Sequence, residues 1–415
     1  MMLVLILALF GASLAKESYL KAVLRSPKET LKLYDNFKAE QHLAFDRVED
    51  RLRFRLFRKN AEMVADENSV DEETAEFALN FFSTMTESEQ ISYRGLNVTG
   101  HNKNAKPALR SSGEDAAPAS KLWTNEGKVT AVENQGRCGS CWTWGAVGGL
   151  ETRYAEMSGV LRKFAEQEYL DCVYEGSRDG CNGGWPDDCY KYSANNGGRL
   201  ASSADYAYTQ RDGSCQGSRK PDAMIAAKIR GVRKVGSTEK ANIEALASGS
   251  LSVAFEVTDK FQQYSKGILK DTTCTGRPNH AVTAVGYTED YVLVKNSWGN
   301  TWGDSGYVKF ARNHHNCNLW DYSSYPVLAS TGASDNGGND EATNYHADDE
   351  DDSGPAPDPD CVDSYSPCYE SWCDTDWIVE DYCQKTCGNC GGNDGDCLPG
   401  TIRCDDGVCR HEHMC

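Results

Sequence analysis

The grouping of 18 cysteines constrains the architecture of this 415-residue chain more than any other feature. Eight lie between Cys138 and Cys317, six between Cys361 and Cys390, and four between Cys397 and Cys415. Residues 1–15 are a short apolar run ending in small residues, which is typical of a secretory signal peptide cleaved after Ala15. In a secreted chain, so many cysteines indicate disulfides rather than metal sites. We therefore expect one large body followed by two small pieces that depend on disulfides, because neither piece can build a hydrophobic core.

Negative charge is concentrated at the C-terminal end of the chain. The net charge is −19, and residues 330–415 contain 21 Asp and Glu against 3 Lys and Arg, so the remainder is close to neutral. Such an acidic tail argues against nucleic acid and anionic membranes as partners. Residues 331–360 carry much of this charge with few apolar side chains, so we expect a disordered linker. The apolar run at residues 1–15 is too short to cross a bilayer, and we expect no membrane span.

The body contains a C-x-x-C pair, Cys138 and Cys141, within the stretch NQGRCGSCWTWG. This spacing can hold zinc, shuttle between dithiol and disulfide, or place a nucleophilic thiol beside a structural one. Zinc would need a second pair of ligands that the body lacks, and a redox pair usually lies in a smaller βαβ setting. The third use requires a thiolate, a base and a group that orients the base.

Few residues can supply that base. Between residues 122 and 330 the only histidines are His280, His314 and His315. We expect a helix from Cys141 to about Ser158, ended by Gly159, so that the helix dipole favours a Cys141 thiolate. His280 begins an apolar run typical of a strand, and Asn296 follows a second strand. An amide at Asn296 could accept a hydrogen bond from the imidazole and fix its tautomer. For His314 and His315 we favour a surface loop.

Three ordered blocks of sequence carry a family resemblance. NQGRCGSCW, NHAVTAVGY and KNSWGNTWGDSGYVKF closely resemble the papain-like cysteine peptidases, and the intervals from Cys141 to His280 and to Asn296 agree with that family. Helical patterns precede strand patterns in the body, which favours an α+β class. The resemblance implies a papain-like two-lobe fold over residues 116–330, with a helical left lobe and a β-rich right lobe.

The resemblance also implies catalytic roles. Cys141 would be the nucleophile, His280 the base that later protonates the leaving amine, and Asn296 the residue that orients His280. The side-chain amide of Gln135 and the backbone N–H of Cys141 would hold the oxyanion. Trp298 would shield the hydrogen bond between His280 and Asn296 from water.

Further residues would bind substrate if the resemblance holds. Gly183 and Gly184 match the edge that pairs with the substrate backbone, where a side chain would obstruct the approach. The main specificity pocket would be lined by five residues that include no acid: Trp185, Pro186, Ala254, Pro278 and Tyr322. We therefore predict a preference for an apolar residue second before the scissile bond. No insertion resembling the occluding loop of an exopeptidase lies between Gly136 and Gly184, which favours an endopeptidase.

The same resemblance assigns the disulfides of the body. The implied pairs are Cys138–Cys181, Cys172–Cys215 and Cys274–Cys317. Cys189 is left over, and we expect a buried thiol rather than a bond to a cysteine outside the body.

Residues 16–115 resemble the inhibitory propeptide of the same family. Six residues match the spacing of its helical signature: Glu49, Arg53, Phe57, Asn60, Val64 and Asn68. A second motif is half kept, because Asn80 and Phe82 are present while Ala78 and Thr84 replace a glycine and an acid. The missing carboxylate leaves the trigger of acid activation open. We expect cleavage within SSGEDAAPA at residues 111–119 and a glycan at Asn97.

Residues 361–390 resemble a ShKT module. The implied disulfides are Cys361–Cys390, Cys368–Cys383 and Cys373–Cys387. The acidic stretch between the third and fourth cysteines contains no lysine, which disfavours a channel toxin and favours a docking or stabilising module with an unknown ligand. We recognise no family in residues 391–415, and for Cys397, Cys404, Cys409 and Cys415 we favour two disulfides over a metal site.

Together these features predict a monomeric cysteine endopeptidase made as a secretory zymogen. It would act without a cofactor on peptide or protein substrates, outside the cell or in a lysosome or vacuole. The alternatives are a catalytically inactive relative that binds partners through its tail, and a disulfide oxidoreductase that uses Cys138 and Cys141 as free thiols.

Overall fold

The computed structural model divides the chain into two units, Met1–Ala342 and Thr343–Cys415. In the second unit the structure describes only an antiparallel strand pair, Ile402–Arg403 with Cys409–Arg410. The predictions for Asn97, the residue 111–116 part of the cleavage region, the linker and the ShKT cysteines lie outside the described residues. The structure describes residues 13–70, 74–96, 117–173, 180–216, 224–225, 227–274, 278–314, 316–329, 402–403 and 409–410.

Residues 16–115 of the first unit, which we call the prosegment, are mainly helical where the structure describes them. Asp46 caps the long helix that carries the signature residues by accepting hydrogen bonds from the N–H groups of Val48 and Glu49. The ring of Phe57 packs on those of Tyr34 and Phe37 in a small core of its own. The elements are α1 (Ser13–Leu24), α2 (Pro27–Glu40), α3 (Arg47–Glu67), β1 (Ala75–Phe77), a 3-10 turn (Phe81–Thr84) and α4 (Glu87–Ile91).

Helices dominate the first half of the body. The predicted central helix extends from Cys141 to Ser158, and Gly159 ends it in the left-handed conformation (φ 72°), which a glycine adopts at little cost. The third helix of the body begins at Pro186, where proline is favoured. The elements are β2 (Lys121–Leu122), α5 (Cys141–Ser158), α6 (Glu166–Cys172), a 3-10 turn (Gly180–Asn182), α7 (Pro186–Asn195), β3 (Leu200–Ala201) and β4 (Met224–Ile225).

Strands dominate the second half, as the sequence predicts. They form one sheet together with β1 and β2. The sheet surrounds an aromatic core that includes Trp123, Trp298 and Trp302. The elements are β5 (Ile229–Lys234), α8 (Glu239–Leu246), β6 (Leu251–Phe255), α9 (Asp259–Gln262), β7 (Tyr264–Leu269), β8 (His280–Tyr287), β9 (Tyr291–Lys295), β10 (Tyr307–Ala311), a 3-10 turn (Asn316–Asn318) and β11 (Ser324–Leu328). The strand order in the sheet is β1-β7-β10-β9-β8-β6-β11-β5, and β2 pairs with β8.

The two lobes meet where α5 packs on β8. Gly148 lies so close to the side chain of Thr283 that a β-carbon would overlap it, and Gly145 lies against Ser252 and Ala281. The close approach places the first residue of α5 beside the first residues of β8. Cys141 and His280, which begin these two elements, are therefore brought to the same end of the lobe interface.

Three disulfides and two free thiols account for the described cysteines of the body. The bonds join Cys138 to Cys181, Cys172 to Cys215 and Cys274 to Cys317, which are the pairs implied by the resemblance. Cys141 and Cys189 are both free and buried. Because Cys138 is bonded to Cys181, the C-x-x-C pair has no dithiol available for redox exchange.

Candidate active site

Cys141 is the first residue of an 18-residue helix and is fully buried. Its sulfur accepts hydrogen bonds from the backbone of Ala281, the second residue of β8, and from the backbone N–H groups at the start of α5. The N-cap residue Ser140 makes no side-chain cap, so the sulfur occupies the positive end of the helix dipole. This environment suits a thiolate once water reaches the site.

His280 and Asn296 are joined by a hydrogen bond. The distance from His280 Nε2 to Asn296 Oδ1 is 2.9 Å, and because Oδ1 can only accept, the ring proton lies on Nε2. His280 Nδ1 has no hydrogen-bond partner among the described residues, so the lone pair of the ring is left for a proton. Trp298 stacks on the imidazole with ring centroids 4.7 Å apart, and both residues are fully buried.

Gln135 is held in the loop that precedes α5. Its Nε2 donates to the carbonyl oxygen of Cys138 (2.9 Å), and its Oε1 accepts from Ser297 Oγ (2.6 Å). The disulfide from Cys138 to Cys181 fastens the same loop. The amide of Gln135 is thus fixed from both ends, close to Cys141 and to the segment that carries Asn296.

The prosegment covers this constellation. The indole of Trp298 donates to the carbonyl of Tyr93 (2.9 Å), and the ring of Phe82 packs edge-on against Trp298. Further along, the N–H groups of Gly95 and Leu96 donate to the carbonyl of Asn279 (3.3 and 3.2 Å). The active-site residues are therefore buried beneath residues 82–96 of their own chain.

Gly184 forms the opposite wall of the covered cleft. Its N–H donates to the carbonyl of Gly95 (3.0 Å), and Leu96 bridges to Gly184 in parallel. A β-carbon on Gly184 would overlap the ring of Trp142, and Gly183 has φ 147°, a conformation open to glycine. The prosegment thus occupies the backbone edge that the family resemblance implies for substrate.

Burial of the catalytic pair favours its uncharged form. Burial raises the pKa of the Cys141 thiol to about 12, against the opposing effect of the backbone hydrogen bonds at the sulfur. Burial also lowers the pKa of His280 to about 3 and outweighs the hydrogen bond with Asn296, while the positive charge of Arg94 in the prosegment lowers it further. In this covered state the thiolate and the imidazolium are both disfavoured.

The residues predicted for the specificity pocket lie near the start of α7 and at the interface with the sheet. Trp185 and Tyr322 make an edge-to-face contact with ring centroids 5.3 Å apart. Ala254 in β6 pairs with Ala281 in β8, and Pro186 begins α7. Pro278 is buried two residues before His280.

Sequence reasoning missed two residues that complete the site. Ser297 donates its N–H to Asn296 Oδ1 (2.8 Å) and its hydroxyl to Gln135, and so links the orienting amide to the oxyanion loop. Asn279 accepts hydrogen bonds from the prosegment backbone through its main-chain carbonyl. No side-chain motif reveals such a contact. Each lies beside a predicted residue within the quoted blocks, and this adjacency was the only available signal. His314 is exposed, as predicted, and His315 lies outside the described residues.

Comparisons with known proteins agree with this geometry. The family profile described as papain family cysteine protease matches residues 117–327. Pro-cathepsin H of Medicago truncatula is 35% identical over 300 residues, which are 69% of this chain and 83% of the relative. Digestive cysteine proteinase 3 of Homarus americanus is 34% identical over 310 residues, 71% of this chain and 94% of the relative. Digestive procathepsin L2 from Tenebrio molitor larval midgut has a structure with a TM-score of 0.65 and 32% identity, covering 72% of this chain and all of that chain.

The chain belongs to the papain family of cysteine proteases. Within that family it is an endopeptidase in a procathepsin-like zymogen form, because a helical prosegment lies over the site in this structure and the proteins it matches include Pro-cathepsin H and a digestive procathepsin L 3. Its disulfides are typical of proteins of the secretory pathway. Over the described residues, no helix has both the length and the apolar character needed to cross a membrane.

Proposed function

We propose that this chain hydrolyses internal peptide bonds through the Cys141 thiolate after residues 16–115 have been removed. The observation that carries the proposal is the hydrogen bond from His280 Nε2 to Asn296, which leaves Nδ1 as the proton acceptor at the end of the cleft where Cys141 lies. An intact set of nucleophile, base and orienting amide argues against an inactive binding protein, in which such a set would have no use.

The geometry supports a two-step acyl transfer. His280 takes the proton of Cys141, and the thiolate attacks the scissile carbonyl carbon to form a tetrahedral intermediate. The amide of Gln135 and the N–H of Cys141 donate to the oxygen on which negative charge develops. His280 then gives its proton to the leaving amine, which departs and leaves a thioester on Cys141.

Water completes the reaction. His280 removes a proton from a water molecule that attacks the thioester, and collapse of the second tetrahedral intermediate releases the carboxylic acid and the thiol. Asn296 keeps the imidazole in the Nε2–H tautomer throughout, so that Nδ1 is the atom that accepts and returns each proton. Trp298 excludes water from that hydrogen bond by stacking on the ring.

Turnover of an acid-activated sample on dipeptidyl fluorogenic substrates tests the proposal. We expect Cys141→Ala to abolish turnover and an epoxysuccinyl thiol inhibitor to block the wild type. Cys189→Ala is the matched control, because it removes the other free buried thiol and should leave turnover intact. Turnover that survives Cys141→Ala would contradict the mechanism.

For specificity we propose an apolar residue second before the scissile bond. The support is the aromatic contact between Trp185 and Tyr322 and the lack of an acid among the five pocket residues. Cleavage of a peptide library should show apolar selection that Tyr322→Phe preserves, whereas Tyr322→Glu should admit Arg at that position. Strong selection of Arg by the wild type would overturn this preference.

We further propose that residues 16–115 inhibit the mature enzyme, residues 116–330, and that the zymogen is destined for the exterior of the cell or a lysosome or vacuole. The position of residues 82–96 on the site supports inhibition. The disulfides of the body support the secretory route. A fragment of residues 16–110 should inhibit the mature enzyme in the nanomolar range. Inhibition only at micromolar concentration or above would count against this role.

A further inference from the structure

Lys163 lies in the loop between α5 and α6 and faces three carboxylates from three segments of the body. Its Nζ is 3.1 Å from Glu133 and 3.4 Å from Glu151, and it also forms an ion pair with Glu166. The side chains of Glu151 and Glu166 are only 2% and 3% exposed, whereas that of Glu133 is 45% exposed. Two buried carboxylates and one outer carboxylate therefore share this one ammonium group.

The cluster extends to the residue before Asn296. Thr130 donates its hydroxyl to Glu151, and Lys295 Nζ donates to Thr130 Oγ1 (2.8 Å). Lys295 ends β9, and Asn296 follows it directly. The carboxylates that Lys163 neutralises on the helical lobe are thus connected to the strand that delivers the orienting amide.

The outer carboxylate belongs to the segment that carries Gln135. The carbonyl of Glu133 accepts from the N–H of Gly299 (3.0 Å), and the N–H of Gln135 donates to the carbonyl of Ser297 (2.8 Å). Residues 133–135 therefore lie strand-like along residues 297–299, the segment that follows Asn296. Any displacement of Glu133 would be transmitted to Gln135 and to this pairing.

We propose that Lys163 is a positioning residue of the peptidase reaction, which ties Glu133 to α5 and α6 and thereby holds Gln135 and Asn296 in register. The inference rests on the proposed function, because it assigns Gln135 to the oxyanion and Asn296 to the orientation of His280. Lys163 itself touches neither substrate nor the reacting atoms.

Removal of the ammonium leaves three carboxylates facing one another, with Lys295 as the other cation at the cluster. Like charges at this distance repel, or they bind protons to relieve the repulsion. Glu133 is the most exposed of the three, so it is the group that can turn toward solvent and pull residues 133–135 with it. Burial already raises the pKa of Glu166, so at low pH protonation can relieve the repulsion instead. The defect should therefore be small in acid and grow as the pH rises.

The test compares Lys163→Met, Lys163→Arg and wild type as mature enzymes, with active sites titrated by the epoxysuccinyl inhibitor. Arg162→Met is the matched control, because it removes an exposed cation from the same loop. We expect Lys163→Met to lower kcat about 10- to 100-fold near pH 7 with KM changed less than about 3-fold, since oxyanion stabilisation acts on the transition state. The loss should shrink below about 5-fold at pH 4.5, and Lys163→Arg should restore kcat at both pH values.

A second route avoids dependence on one variant. If Lys163→Met does not fold, the double variant Lys163→Met, Glu133→Gln removes the repelling outer carboxylate as well, so it should fold and its kcat near pH 7 should be close to that of the Glu133→Gln single variant. A kcat loss independent of pH, a loss confined to KM, or no rescue by Lys163→Arg would overturn the inference while leaving the proposed function intact. A wild type without Cys141-dependent turnover would refute the proposed function, and this inference with it.

Discussion

Gly95→Ala should release the prosegment from the cleft. Gly95 has φ 139°, which L side chains rarely adopt, and a β-carbon would overlap the carbonyl oxygen of Gly139 in the loop before α5. No side-chain movement can relieve this overlap, because it is with the backbone of Gly139, and Gly139 itself lies against the backbone of Cys181. The strain arises only when the segment is seated, so it weakens binding rather than the fold of either part.

The cost can be converted into an inhibition constant. A residue forced into such a conformation costs about 1 to 3 kcal/mol, and the overlap places this site toward the upper end. At about 1.4 kcal/mol per factor of ten, a cost of 2 to 3 kcal/mol weakens inhibition about 30- to 150-fold.

The assay measures inhibition of mature enzyme by wild-type and Gly95→Ala fragments of residues 16–110. Val48→Ala is the control, because Val48 is 81% exposed on α3 and should leave the inhibition constant unchanged. An inhibition constant for Gly95→Ala within about twofold of wild type would refute the steric reasoning, since it would mean that the segment does not pass Gly139 as the structure places it.

Three further predictions concern charge and catalysis. At pH 7 the raised pKa of Cys141 should make its alkylation by iodoacetamide in the zymogen about 1,000-fold slower than that of an ordinary thiol, as measured on the tryptic peptide that contains it, and removal of the prosegment should abolish the difference. Asn296→Ala should lower kcat about 10- to 1,000-fold with little change in KM. A rise in KM as large as the fall in kcat would contradict an orienting role. Burial alone would raise the pKa of Glu89, but hydrogen bonds from Arg53 and from the Thr86 backbone lower this pKa to about 2. The charged Glu89 therefore stabilises the fold fully above pH 4.5, and this stabilisation is lost as the pH falls toward 2. Glu89→Gln should therefore lower the melting temperature of the zymogen at pH 6 and not at pH 2, and a deficit of the same size at both values would argue against the ion pair.

The sequence was sufficient where one local signal determined one element. Gly159 marked the end of α5, and the apolar run after His280 marked β8, because helix ends and buried strands leave short-range signals. The three quoted blocks located Cys141, His280 and Asn296 because each is embedded in its own distinctive stretch.

Contacts between distant segments could not be predicted in the same way. Glu133, Glu151, Lys163 and Glu166 are ordinary charged residues in the sequence, and only the packing of α5 and α6 beside residues 133–135 brings them together. The contact between Gly95 and Gly139 joins residues 44 positions apart, and neither glycine differs locally from a turn residue. Such clusters follow from tertiary packing, for which a single sequence carries no periodic signal.

The strand β1 has a consequence for the mature enzyme. In the zymogen it lies along β7, with Ala75 opposite Gly267 and the N–H of Ile268 donating to the carbonyl of Thr74 (3.2 Å). Cleavage of the prosegment converts β7 from an internal strand into an edge strand whose peptide groups face water. Lys266, in the middle of β7, then becomes the charge that discourages another sheet from adding there. While β1 is in place, the peptide groups of β7 that it pairs are not available to a strand from another molecule.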